Sequence, residues 1–129
     1  WKNTGLLLKQ NPLIGELRLY DKSNAICAVG EDLSHIDTKT KWALQFCGMP
    51  ITDANIVVTV GGCKTSHKET ATELFEKNVD DVRITALHMI EFNPNAVFCI
   101  AKPPYRALVP LVSEEYKKAV CTTAEGLLA

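Results

Sequence analysis

Polar and apolar side chains alternate along Glu16-Leu-Arg-Leu-Tyr-Asp21, the two-residue period of a β-strand, and this run ends on a carboxylate. Just before it, Leu6-Leu-Leu-Lys-Gln10 leads into Asn11-Pro12, as in the last turn of a helix, because proline cannot continue helical hydrogen bonding. The segment from Asp53 to Val60 contains the β-branched run Ile56-Val-Val-Thr-Val60 and stops at Gly61-Gly62. An uninterrupted apolar run of that kind predicts a central strand of a parallel sheet, buried on both faces and entering a tight loop. From Ser66 onward the period changes. Ser66 with Glu69 has the spacing of a capping box, and Phe75, Val79, Val82, Ala86 and Ile90 recur at three- and four-residue steps. A long helix over Glu69 to Phe92 follows, ending near Asn93-Pro94. Another apolar strand is predicted at Ala96 to Ala101, broken by Pro103-Pro104, and a helix from Ala107 to Ala119 with Lys117-Lys118 at its basic end.

Strands separated by long helices cannot close as hairpins. The predicted fold class is therefore α/β, a parallel sheet covered by crossover helices, with strands near Leu17–Tyr20, Ile56–Val60 and Val97–Ile100. Neither an internal repeat nor a flexible linker interrupts the pattern, so residues 1–129 read as one domain.

Composition narrows the function classes. The chain has 14 lysine and arginine residues against 15 aspartate and glutamate residues, and the cations are scattered. No electrostatic footprint for nucleic acid or an anionic membrane is expected, and the apolar runs are too short to span a bilayer. Five cysteines, Cys27, Cys47, Cys63, Cys99 and Cys121, lie far apart without a C-x-x-C pair, and His35, His67 and His88 are dispersed. The expectation is reduced thiols and no metal site, with Cys99 acting as a small hydrophobe inside its strand.

Three ordered blocks carry a resemblance: Leu6-Leu-Leu-Lys-Gln-Asn-Pro-Leu13, Leu17-Arg-Leu-Tyr-Asp21 and Asp32-Leu-Ser-His-Ile-Asp-Thr38. Val57-Val-Thr-Val-Gly-Gly62, Glu73-Leu-Phe-Glu-Lys-Asn78 and Ala101-Lys-Pro103 continue it in the same register. Together they resemble the nucleotide-binding half of mitochondrial-type malate dehydrogenases, in the lactate/malate dehydrogenase superfamily. That resemblance implies an incomplete Rossmann-like sheet, NAD as cofactor, a mitochondrial location and a place in the tricarboxylic acid cycle. It puts Asp21 where a carboxylate accepts the adenosine ribose hydroxyls. It also places Gly61 and Gly62 in a loop where the backbone approaches the cofactor, and Asn78 and Ile100 at further cofactor positions. Asp21 could equally be a solvated strand-end residue, Gly61-Gly62 an ordinary turn, Asn78 an exposed helix residue and Ile100 a core residue.

The departures from the family are as informative. The first strand and most of the G-x-G-x-x-G phosphate loop have no counterpart ahead of Leu6, where only Trp1-Lys-Asn-Thr-Gly5 stands. Thr65 and Ala71 occupy the places of two substrate arginines, with Lys64 and Lys68 nearby, and a lysine lacks the fixed fork of a guanidinium. Lys102 replaces the asparagine that contacts substrate and cofactor, and Glu125 and Leu128 replace an aspartate and a third arginine. The catalytic histidine would fall beyond Ala129. Shortened junctions near Lys41-Trp42 and Ala119-Val120-Cys121 accompany these losses. The reading is a malate-dehydrogenase-like pseudoenzyme, inactive as it stands, retained for structure or assembly with a protein partner or a second copy. The alternative is a piece of an active NAD-dependent malate dehydrogenase. A missing first strand predicts an unpaired sheet edge or gap that a partner chain fills.

Overall fold

A computed structural model describes residues 2–21, 25–45, 51–60, 68–115 and 120–123. Its elements run α1 (Lys2–Lys9), β1 (Glu16–Tyr20), α2 (Ala25–Ser34), β2 (Lys41–Gln45), β3 (Ile56–Val60), α3 (Ala71–Phe92), β4 (Val97–Ala101), α4 (Tyr105–Glu115) and β5 (Val120–Thr123). The chain divides into two compact units, Trp1–Met49 and Pro50–Ala129. All pairings are parallel, as expected for an α/β chain: β1 with β2, β3 with β4, and β4 with β5.

In the first unit, alternation along β1 turns Leu19 into a core of Ile26, Val29 and Leu33 from α2, flanked by Leu17 and Ile36. Helix α1 reaches this core through Gly5, where an added Cβ would meet Leu33 Cδ1 at 3.5 Å and Leu19 Cδ2 at 3.8 Å. The predicted helix end at Leu6–Gln10 is thus part of a described helix whose last residue, Lys9, is 3% exposed. Its Nζ donates to Thr38 Oγ1 at 2.9 Å and to the carbonyls of Thr40 and Ile36 at 3.1 and 3.2 Å. A buried ammonium is tolerated because each of its three protons finds an oxygen. Thr40, itself buried, donates its hydroxyl to Ile14 O at 2.8 Å, while Lys41 N donates to Gly15 O at 2.9 Å, setting the register of β2 on β1. Helix α2 and strand β2 had no place in the sequence reading.

The second unit is built on β3, α3, β4, α4 and β5 in chain order. Val82, Ala86 and Met89 of α3, Phe98 and Ile100 of β4, and Leu108 and Val112 of α4 form its core. Burying such side chains contributes roughly 1.5–3 kcal/mol each. The helix predicted over Glu69 to Phe92 is present as Ala71–Phe92, and a capping box is formed at its start by Thr70 and Glu73. Thr70 Oγ1 accepts from Glu73 N at 3.3 Å and Glu73 Oε2 accepts from Thr70 N at 2.9 Å. This pair and the expected Ser66–Glu69 both have the S/T-x-x-E spacing, and this one stands directly at the helix start; Ser66 lies outside the described residues. The buried stripe runs through Leu74, Asn78, Val82, Ala86 and Met89, with Phe75, Val79 and Ile90 only half-buried, a phase slightly rotated from the expected one.

At its far end α3 is closed by Asn93. The amide N–H of Asn93 donates to Met89 O at 2.7 Å; its side chain donates to Ile51 O at 2.5 Å and accepts from Ala54 N at 2.9 Å. The approach to β3 passes through Asp53, whose φ of 58° is a left-handed conformation that aspartate tolerates better than most residues. Helix α4 is described over Tyr105–Glu115 and carries Pro110 within it, and the rest of the expected helix, residues 116–119, lies outside the described residues. Strand β5 follows where no strand was expected.

Sheet order corrects one expectation. The described strands form two sheets, β1-β2 and β3-β4-β5, so β3 is an edge strand among the described residues and not a central one. Its apolar composition is that of an interior strand, but no described strand pairs with its second side.

Candidate nucleotide-binding site

In open parallel α/β sheets ligands gather at the carboxyl ends of strands, so those ends are where the candidate residues must be sought. Asp21 directly follows β1 and is half-buried, with a polar interaction of its own. A carboxylate there has the oxygens to accept hydrogen bonds from hydroxyl groups. Beyond β3, Gly61 and Gly62 lie outside the described residues, as do Lys64 and Thr65. Ala71 is described: it opens α3, is exposed, and has no charge to offer an anion.

The end of β4 is the best-defined part. Ile100 is 0% exposed and sits in the core cluster with Val82 and Leu108, so its side chain serves packing. Asn78, 2% exposed, donates through Nδ2 to Leu74 O and to Pro103 O, both at 3.1 Å. Both amide protons are thereby committed to the backbone, tying α3 to the segment after β4, where the Pro103-Pro104 peptide bond is cis.

Lys102 stands one residue beyond β4 and is 4% exposed. Its ammonium pairs with the Asp81 carboxylate, which lies one helical turn after Asn78 on α3 and keeps about half of its side chain in solvent. Asn78 and Asp81 thus grip adjacent residues, Pro103 and Lys102, from a single face of α3. The lysine that replaces the family's asparagine therefore has its charge already neutralised and is not presented as a free cation to a dicarboxylate. Sequence reasoning singled out Lys102 but missed Asp81. The only signal was its three-residue spacing from Asn78, which on a helix means a shared face.

Asp21 offers suitable chemistry at the end of β1, while within the second unit the Asn78 amide protons go to Leu74 O and Pro103 O and the Ile100 side chain packs in the core. Among the described residues, no group of three or more His, Cys, Asp or Glu side chains is placed to hold a metal ion. No helix there is long and apolar enough to cross a membrane.

Residues 2–121 match the family described as lactate/malate dehydrogenase, NAD binding domain. The chain belongs to this family. Mitochondrial malate dehydrogenase of Caenorhabditis elegans is 35% identical over 119 residues, covering 89% of this chain and 35% of the relative. Mitochondrial malate dehydrogenase of Schistosoma mansoni is 32% identical over 117 residues, covering 88% of this chain and 82% of the relative. The chain spans about a third of the length of most such relatives, 33% of the peroxisomal malate dehydrogenase 1 of Arabidopsis thaliana for example. Among solved structures, Cryptosporidium parvum malate dehydrogenase superposes with a TM-score of 0.77 at 22% identity, covering 88% of this chain and 37% of that one. The lactate dehydrogenase of Eimeria maxima, solved with NADH and oxamate, gives 0.74 at 22% identity over 90% of this chain and 37% of that one. At such identities the likeness establishes the Rossmann-type dehydrogenase fold. This lactate/malate dehydrogenase domain is α/β with parallel strands, as its residue pattern predicts.

Proposed function

We propose that this lactate/malate dehydrogenase-type domain does not itself oxidise malate and serves a structural or assembly role. The observation that carries the proposal is the Lys102–Asp81 pair. At the position where the family holds an uncharged amide toward substrate and cofactor, this chain buries a lysine and closes it with a carboxylate from α3. The uncharged Ala71 at the mouth of α3 points the same way.

Hydride transfer requires cofactor and hydroxy acid held in register, together with a base for the hydroxyl proton, and correct orientation alone is worth roughly 7–11 kcal/mol of barrier. The described residues supply neither the paired arginines that would grip two carboxylates nor a histidine poised as base. Asp21 supports a residual affinity for the adenosine ribose, so NAD is the cofactor class this domain fits, weakly and through that one carboxylate. A mitochondrial setting belongs to the same proposal, although the relatives include peroxisomal, chloroplastic and glyoxysomal enzymes.

A second reading is favoured by a specific finding: most relatives are about three times as long as this chain. In that reading the chain is one piece of an NAD-dependent malate dehydrogenase, and the missing chemistry resides elsewhere in the protein. One experiment separates the two. Purified chain is assayed for NADH formation from malate and, in parallel, for NADH binding by nucleotide fluorescence. The expected result is no turnover above a buffer blank, with weak binding that Asp21→Ala abolishes. Steady NADH formation that disappears in Asp21→Ala overturns the proposal in favour of the enzyme.

A further inference from the structure

Two buried lysines of this chain are served very differently. Lys9, in the first unit, directs its three ammonium protons to three oxygens, Ile36 O, Thr38 Oγ1 and Thr40 O. Lys102, in the second unit, is comparably buried, yet among the described residues its ammonium has one partner, Oδ2 of Asp81. An ammonium carries three donors, so one carboxylate oxygen leaves much of its bonding capacity unused where water is largely excluded. The two ends of the pair are also unequal: the side chain of Lys102 is 5% exposed and that of Asp81 47%. Asp81 can turn outward at little cost, because water takes over its hydrogen bonds, whereas Lys102 must keep an oxygen against it. Solvent meets the pair on the Asp81 side, which is therefore the side from which another oxyanion approaches.

We propose that Asp81 is an autoinhibitory residue, its carboxylate standing in at the Lys102 ammonium for a small oxyanion, a carboxylate or a phosphate, that would otherwise bind there. Lys102 lies one residue beyond the carboxyl end of β4, and the carboxyl ends of parallel strands are where ligands gather in open α/β sheets. A ligand with several oxygens would fill the donors that Asp81 leaves unused. Its arrival exchanges one carboxylate for another anion and so keeps the buried cation neutralised, which an uncharged ligand would not do once Asp81 had turned away. The backbone need not move in this exchange. One helical turn before Asp81, Asn78 Nδ2 donates to Pro103 O at 3.1 Å and holds the segment after β4 against α3. Asp81 itself is fixed in the same helix, where its carbonyl accepts from Thr85 Oγ1 at 2.7 Å. Only the two side chains take part, one free to reach water and one not. Asp81 is thus the residue that closes the cation to an anionic ligand in the inactive reading, on which this assignment rests for its setting.

The full chain and its Asp81→Asn variant are titrated with oxalate and, separately, with inorganic phosphate by calorimetry, at an ionic strength held constant with chloride. The Lys102 ammonium is followed alongside by side-chain nitrogen NMR. Asparagine keeps the size of the side chain and removes its charge. The expected result is that the variant binds one of the two oxyanions at least about tenfold more tightly than the unaltered chain, the factor set by one charge-assisted hydrogen bond, with the Lys102 signal moving in step. A preference for oxalate identifies a carboxylate ligand and a preference for phosphate a phosphorylated one. Lys102→Met in the Asp81→Asn background should abolish the gain. Equal affinities in the two chains, no binding by either, or a gain that survives Lys102→Met overturns the proposal and leaves the pair a structural bond. If Asp81→Asn unfolds, refolding by oxalate or phosphate but not by chloride supports the proposal, and failure of both oxyanions to refold it overturns the proposal. The NADH assay remains separate: turnover by the unaltered chain sinks the inactive reading without changing the oxyanion titration, and equal oxyanion affinities remove the role of Asp81 without creating turnover.

Discussion

Replacing Lys9 by methionine tests whether a buried ammonium holds the first unit together. The substitution keeps the length and apolar stem of the side chain but leaves Thr38 Oγ1 and the carbonyls of Ile36 and Thr40 without their donor. Hydrogen bonds from a charged donor are worth roughly 1.5–3 kcal/mol apiece, so three of them amount to several kcal/mol. Against that stands the cost of desolvating the ammonium, itself several kcal/mol, which methionine no longer incurs. What tips the balance is the acceptors: Thr40 is 3% exposed, so its carbonyl cannot simply turn to water. A net loss of about 2–3 kcal/mol is expected. Both tryptophans, Trp1 and Trp42, fall within the first unit, so tryptophan fluorescence during urea unfolding reports on this unit selectively. Thr38→Val removes one of the three acceptors and should cost about 1 kcal/mol alone and nearly nothing in the Lys9→Met background. Equal stability of Lys9→Met and the unaltered chain, or strict additivity of the two substitutions, would refute the account of Lys9 as a satisfied internal cation.

Three further outcomes are expected. Asn93→Ala should destabilise the second unit by about 2–3 kcal/mol, because the Ile51 carbonyl and the Ala54 amide both lose their partner; amide exchange within α3 and β3 measures this, and an unchanged exchange pattern contradicts it. Gly5→Ala should stabilise the first unit by roughly 0.5–1 kcal/mol, since the new methyl meets Leu33 and Leu19 at ordinary contact distance while the helix gains rigidity; a lower urea midpoint by tryptophan fluorescence would count against it. Burial raises the Cys99 thiol above its ordinary value of 9.0, which favours the neutral thiol in the folded chain. The stability this provides is complete below pH 9.0 and is lost as pH rises through the raised folded value. Mass-mapped thiol labelling at pH 8 to 10 should therefore modify exposed Cys27 first and Cys99 only on unfolding.

The parts of the fold that were legible in the sequence are those where one physical signal dominates. Strands β1, β3 and β4 announce themselves by alternation or by β-branched runs, and α3 by a stripe long enough for its period to be unambiguous. Strand β2 was hidden because Lys41-Trp-Ala-Leu-Gln45 has neither a β-branched run nor a clean alternation, and its order comes from pairing with β1 and from the Lys41 N to Gly15 O bond. Helix α2 was not read as a helix, only its last residues Asp32–Ser34 falling in a family block, because its apolar positions Ile26, Val29 and Leu33 are too few to fix a period. At the site, Lys102 was legible as a departure from the family. Asp81 was not, because an aspartate on a helix surface looks solvated until the fold brings a buried lysine against it. The same limit applies to Asn78, whose amide could have faced a ligand or, as here, the backbone after β4.

Within each sheet the strands stand in the order in which they occur along the chain, β1 beside β2 and β3 beside β4 beside β5. Among the described strands β2, β4 and β5 therefore each pair with their nearest predecessor, and none of these three waits for a distant segment before it can pair. A chain emerging residue by residue from the ribosome can dock each crossover helix and the strand that follows it as soon as both are free, keeping loop-closure costs low.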